Sequence, residues 1–325
     1  ASVFGAMDGL VTNIALVAGV GAAGATPHFI VLTGLAGLVA AGLVVFFLAP
    51  LAIVWAYSFG QNVGLTEVDI SGTFANYARA LEPLYLQIFA KSIFVAALTT
   101  LLCLIIGFPV ALSIVFASEK WRALMLLLIM LPFWTNLLIR TYSLMAVLGT
   151  DGYVNFTLGW LWNNASWFMT LVGLQPLGEF NKPQLLFNNF AVVVGLVYVH
   201  LPFMVLPLYA ALDRLDKSLI EASLDLGAGH LRTLWSIVVP LALPGIISGI
   251  IITFVPALGA YLTPDLLGGP DSQMIANVIE RQFKRANDWP FGAALSFLLM
   301  YATFAAIALR AYFSRGDKPA EGHVF

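Results

Sequence analysis

The chain has 325 residues, a net charge of −2 and a mean hydropathy of +0.92, with 60% hydrophobic and 10% charged residues. Soluble domains carry about a quarter charged residues, so this composition specifies an integral membrane protein, and its near-neutral charge suggests no nucleic-acid partner. A single cysteine, Cys103, excludes an internal disulfide and a zinc cluster.

A helix needs about 20 apolar residues to cross a bilayer. Residues 4–24 are apolar with one acid, and longer runs follow at 28–60, 88–117, 123–149, 186–212, 236–262 and 290–313. The fold class expected is all-α: six core transmembrane helices plus a possible extra N-terminal apolar helix. The alternation of a membrane β-barrel is missing. The opening stretch has no basic n-region, so a cleavable signal peptide is not expected. Gly19-Val20-Gly21-Ala22-Ala23-Gly24 satisfies GxGxxG, but it follows no predicted strand and reads as helix packing or a turn. The run 28–60 exceeds one span and fits either a tilted first span with a hydrophobic lead or a re-entrant turn.

Further along, Pro109, Pro132, Pro202, Pro207, Pro240, Pro244 and Pro256 fall inside the runs. Each removes a backbone donor and tends to kink a helix, which suits a transporter better than an anchor. Arg140 follows Arg122 by 18 residues, about 27 Å along a straight helix, which places it at the outer face. The segment 150–185 holds Tyr153, Trp160, Trp162 and Trp167 and fits a helix in the headgroup plane or ordinary interfacial anchoring. Two sequons, at Asn155 and Asn164, are common by chance and carry no weight. His200, beside Tyr198, reads as a helix-contact residue. Gly245 and Gly249 form a small-xxx-small pair that admits a close neighbouring helix. Lys and Arg divide eight against six between the two sides, which places 213–235 and the C-terminal tail in the cytoplasm.

Seven charged residues lie between Asp213 and Arg232, an island between two long apolar runs. Ser218-Leu219-Ile220-Glu221 reads as a capping box, Leu215, Leu219, Ala222 and Leu226 as one apolar face, and Gly227 as a left-handed C-terminal cap. The pattern describes a short amphipathic helix parallel to the membrane. By itself it fits an ordinary interfacial helix and a docking knob for a soluble partner equally.

Glu221-Ala222-Ser223, then Gly227, Ile237, Val239 and Pro240 resemble the EAA loop of ABC-importer permease subunits, whose coupling helix sits in a groove of the ATPase. The family has Ala at Ser223 and Leu at Val239. The resemblance extends over about Leu43 to Arg315, through Leu131-Pro132-Phe133-Trp134-Thr135-Asn136, Leu201-Pro202-Phe203-Met204, Pro256-Ala257-Leu258-Gly259, Pro264-Asp265-Leu266-Leu267-Gly268-Gly269 and Asp288-Trp289-Pro290-Phe291-Gly292. These segments are similar to the first permease chain of spermidine/putrescine importers. The resemblance implies a non-catalytic, multi-pass permease of the type I importer fold in a bacterial inner membrane. It implies an ABC ATPase dimer, a second permease and a periplasmic or lipid-anchored binding protein as partners. Its ATPase-coupling residues would be Ser218, Glu221, Ala222, Ser223, Gly227, Ile237 and Pro240. No Gly-Lys dipeptide occurs, so there is no P-loop; ATP and Mg would belong to the partner, and this chain would bind no cofactor or metal.

For the substrate route, Asp265 is the candidate for contact with an ammonium group, with Tyr261 beside it, and a loop-capping role fits it equally. Trp134, Asn136 and Tyr142 complete the candidate path.

Residues 4–42 are discordant. Asp8-Gly9-Leu10-Val11-Thr12-Asn13, Gly24-Ala25-Thr26-Pro27-His28 and Leu32-Thr33-Gly34-Leu35-Ala36-Gly37-Leu38-Val39-Ala40 resemble the opening of vacuolar iron transporter-like proteins, in which the acid here at Asp8 contributes to the cation path. The expected organisation is a discordant segment 1–42 (a fusion, or two reading frames joined near Gly42), a permease domain 43–315 with its coupling loop at 213–235, and a tail 316–325. A divalent-metal transporter and a membrane-embedded enzyme are the alternative readings. The first rests on residues 4–42 alone, and the second lacks a catalytic constellation.

Overall fold

The computed structural model describes residues 42, 45–46, 48–64 and 67–314, with 306–314 as backbone alone. The iron-transporter-like segment, with Asp8, and the tail 316–325 lie outside the described residues, apart from Gly42. The described chain is almost wholly helical and divides into two compact units, one drawn from 1–81 and 282–325 and the other Glu82–Arg281.

In the first unit, α1 (Leu48–Tyr57) leads into a small antiparallel hairpin, β1 (Gln61–Asn62) with β2 (Val68–Asp69), in which Gln61 faces Asp69. Helix α2 (Ala75–Ala80) follows, and α12 (Trp289–Ser314) closes the chain. Polar contacts join these pieces. Trp55 donates its indole N–H to the Tyr301 hydroxyl at 2.9 Å, and Arg79 pairs with Asp288 at 2.8 Å while stacking 4.0 Å over Phe291.

The second unit is built on three long apolar helices: α3 (Pro83–Phe116), α7 (Asn189–Leu212) and α9 (His230–Leu258), each long enough to cross a membrane. All three pack against one another around Cys103, Ala111, Ile114, Met204, Leu208 and Ala242. Glycine sets how closely they approach. A Cβ on Gly245 would collide with Ala211 and come within 2.8 Å of the Pro207 carbonyl; one on Gly249 would lie 2.7 Å from the Met204 sulfur. The small-xxx-small pair is thus the contact between α9 and α7. His200 is buried, its Nδ1 2.8 Å from the Leu196 carbonyl oxygen, as expected of a helix-contact residue.

The apolar run 123–149 is not one straight helix. Helix α4 (Glu119–Met130) ends in a 3-10 turn at Leu131–Trp134, and α5 (Leu137–Leu148) and α6 (Tyr153–Leu171) continue at 99° to it. Pro132 and Asn136 make the break: the Asn136 side chain accepts from the Leu138 amide at 2.8 Å and so starts a new helix. Counting residues from Arg122 along one axis therefore does not locate Arg140. The described residues hold three helices long and apolar enough to cross a membrane, or four if the bent pair counts as one span, with shorter apolar helices at Leu48–Tyr57 and Trp289–Ala305. Helix α6 is held at its start by the buried Asn155, whose amide lies 3.2 Å from the carbonyls of Gly149, Thr150 and Pro183. That sequon is closed to modification in this fold.

Beyond α9 the chain forms α10 (Leu262–Leu267), a 3-10 turn at Pro270–Ser272 and α11 (Ile275–Lys284). This stretch is anchored to α3 where the Ile275 amide donates to the Ser92 hydroxyl at 2.7 Å.

Candidate functional site

The charged island folds as α8 (Lys217–Asp225). Its N-cap is Asp216, not Ser218: the Asp216 side chain accepts from the Ser218 amide at 3.0 Å, and Ser218 lies one residue inside the helix. Asp outcompetes the predicted capping box because it precedes the first helical residue and brings a full negative charge to the helix N-terminus. That hydrogen bond holds the Asp216 carboxyl below its ordinary pKa. The predicted apolar face is also corrected. Leu219, Ala222 and Leu226 point outward, Leu226 at 89% exposure, while Ile220, Ser223 and Leu224 turn inward and Leu215 and Ile220 pack on the helical core.

The C-terminal cap stands as expected. Gly227 has φ +82°, its amide donates to the Leu224 carbonyl at 2.9 Å, and the Ala228 amide reaches the Ser223 carbonyl at 3.1 Å. This pair of bonds is the Schellman arrangement, and the left-handed residue within it favours glycine. Helix α9 then begins at His230, earlier than the apolar run suggested, and widens into a π turn at Leu234–Val238, where the Val239 amide reaches back to the Leu234 carbonyl. Pro240 follows directly and explains the widening, since it offers no amide to the preceding turn and its ring crowds the carbonyl four residues back.

One contact ties these parts together. The Ser223 hydroxyl lies 2.9 Å from the buried Thr233 hydroxyl, fastening α8 to the first turn of α9. Arg122 pairs with Asp213 and fixes the entry to the loop. Of the predicted coupling residues, Ser218, Glu221, Ala222 and Gly227 share the exposed surface, Ser223 and Ile237 are partly buried, and Pro240 is exposed two residues past the π turn. Leu231 and Trp235, 74% and 69% exposed, extend the apolar outer surface and were not singled out by sequence. Neither were Asp216 and Thr233. Asp216 carried a readable signal, an acid immediately before a helix start; Thr233 carried none.

The predicted substrate-path residues fall in two places. Trp134 and Asn136 sit at the break between α4 and α5, and Tyr142 lies exposed on α5. Tyr261 and Asp265 belong to α10 and the residue before it. Helix α10 packs on α5 through Leu267 and Leu144, so the two places are joined by a shared apolar contact. Asp265 lines a cavity of about 230 Å³, with Arg281 on the same wall. Among the described residues, no group of three or more His, Cys, Asp or Glu is arranged to hold a metal.

The chain matches the family of binding-protein-dependent transport system inner membrane components over residues 15–316. It is 41% identical over 258 residues to the spermidine/putrescine transport system permease protein PotB of Salmonella typhimurium, covering 79% of this chain and 84% of that one. The protein of the same name in Escherichia coli is also 41% identical, over 79% and 88%, and that of Haemophilus influenzae 38%, over 78% and 84%. Among solved structures, a bacterial ABC transporter that imports alginate superposes with a TM-score of 0.61 at 15% identity over 84% of this chain and 91% of that one. The alginate transporter in complex with its pentasaccharide-bound periplasmic protein gives 0.62 at 15% over 88% and 94%. These two likenesses bear on the fold. Neither the family nor these relatives supports the metal-transporter or enzyme readings.

Proposed function

Because the chain belongs to the family of binding-protein-dependent transport system inner membrane components, we propose that it is one permease chain of an ATP-driven polyamine importer and forms half of an alternating-access path. The substrate class rests on one observation: relatives 41% and 38% identical over most of both chains are named spermidine/putrescine permeases. The protein is a multi-pass membrane protein, and ATP hydrolysis belongs to a separate subunit. In keeping with that division of labour, the sequence holds no Gly-Lys pair for a phosphate loop.

On this reading α8 lies on the cytoplasmic side and enters a groove of an ATPase dimer. Its outward Leu219, Ala222 and Leu226, with Glu221, are the docking surface, and the Ser223–Thr233 contact passes displacement of α8 to α9. A second permease completes the path, and a periplasmic or lipid-anchored binding protein delivers substrate. Asp265 and Tyr261, with Trp134, Asn136 and Tyr142, line the route of the ammonium groups.

Reconstitution tests the reading. The chain, co-expressed with its ATPase, second permease and binding protein in proteoliposomes, is expected to accumulate labelled putrescine or spermidine only with ATP on the side that carries α8. Uptake without ATP, or no polyamine uptake by an assembled complex, would overturn it.

A further inference from the structure

Asp265 does not meet its cavity as an isolated carboxylate. Nη2 of Arg281 lies 3.9 Å from its Oδ1, beyond hydrogen-bond distance, and the two side chains remain 41% (Asp265) and 35% (Arg281) exposed. Such a pair is held by charge alone, and exposed pairs without hydrogen-bond geometry are weak. On its inner edge the Nε of Arg281 is buried without a hydrogen-bond partner. The guanidinium thus makes no hydrogen bond to Asp265 and none through its Nε.

The surroundings are rigid by comparison. Asn277 on the cavity wall donates to the Tyr261 carbonyl at 2.8 Å and accepts from the Met274 amide at 3.1 Å. Gly268 has no room for a side chain, since a Cβ there would collide with the Pro264 carbonyl and lie 2.8 Å from the Ser272 side chain. Phe187, which also lines the cavity, is fixed by its amide donating to the Leu267 carbonyl at 3.0 Å. The Asp265 carboxylate and the Arg281 guanidinium therefore share one cavity whose wall is braced by these backbone contacts.

We propose that Arg281 is a resident competitor for the substrate cation: an ammonium end of a linear polyamine displaces the guanidinium from Asp265, and Arg281 returns when the substrate moves on. This rests on Asp265 belonging to the substrate path. Exchange of one cation for another keeps the carboxylate paired throughout. The resident arginine keeps affinity for polyamine low enough for release.

Equilibrium dialysis of labelled putrescine against the reconstituted complex, without its binding protein, tests this directly. Arg281→Gln is expected to tighten binding by about threefold to fivefold. Arg281→Lys should bind as the parent does, because the competing charge is kept, and Asp265→Asn should bind more weakly. Arg281→Met, which keeps the aliphatic stem, replaces the Gln variant if that one fails to assemble. Unchanged or weaker binding on loss of the Arg281 charge, with Asp265→Asn weakened, overturns the competition and leaves the cation site standing. Unchanged binding in Asp265→Asn overturns the site itself, and the competition with it.

Discussion

The hydroxyls of Ser223 and Thr233, ten residues apart, lie 2.9 Å from each other where α8 meets α9. Ser223 is also a position at which the chain departs from the EAA pattern it resembles, and the serine there adds a contact between α8 and the span behind it. A partly buried hydroxyl pair contributes about 1 kcal/mol. Ser223→Ala and Thr233→Val are each expected to cost about that much, and the double variant less than the sum. Hydrogen exchange of the α8 amides in the assembled complex checks this; strictly additive losses would mean that the two hydroxyls do not act as a pair.

Gly227 has open space around its Cα and a φ of +82°. Substitution there is therefore a backbone test without steric confusion. Gly227→Ala is expected to destabilise the cap by about 1 kcal/mol, and Gly227→Asn by less, since Asn tolerates the left-handed region. The measurement is thermal release of the ATPase from the complex, with the order Gly, Asn, Ala.

Glu221 is exposed on the outer surface of α8. Glu221→Lys is expected to leave the permease folded while either preventing ATPase assembly or separating ATP hydrolysis from transport. The ratio of putrescine transported to ATP hydrolysed in proteoliposomes reads this out. A normal ratio with the ATPase still bound would remove α8 from coupling.

Gly245 and Gly249 make unequal demands. The atoms facing a Cβ at Gly245 include the Pro207 backbone carbonyl, whereas Gly249 meets first the sulfur of the unbranched Met204 side chain. Gly245→Ala should therefore cost about 2–3 kcal/mol and Gly249→Ala about 1 kcal/mol or less. Unfolding midpoints in detergent decide the order.

Asp216 supplies a pH dependence. Its pKa lies below the ordinary 3.8 because the Ser218 amide donates to the carboxylate. A depressed carboxyl contributes stability that is present above its unfolded value and is lost as pH falls through the folded one. The first turn of α8 is expected to fray at pH below 3.8, and Asp216→Asn, a neutral acceptor, to remove that dependence. Exchange at the Ser218 and Leu219 amides, corrected for intrinsic rate, measures it.

Much of this molecule is legible in its residue order, for reasons that are local. Apolar runs long enough to cross a bilayer announce helices, because no backbone group can go unpaired in lipid. Gly227 announces a left-handed cap, because other residues are strained there. The spacing of Glu221, Gly227 and Pro240 carries the resemblance to the EAA loop. Tertiary structure decided what depends on competition between neighbours. Asp216 rather than Ser218 caps α8, since only one side chain can occupy the first turn. Ile220 and Leu224 turn inward and Leu219 and Leu226 outward, because the helical core selects the face and periodicity alone cannot. The run 123–149 breaks at Pro132 and Asn136. Asp265 on α10 meets Arg281 on α11, sixteen residues away, a juxtaposition that no local signal encodes.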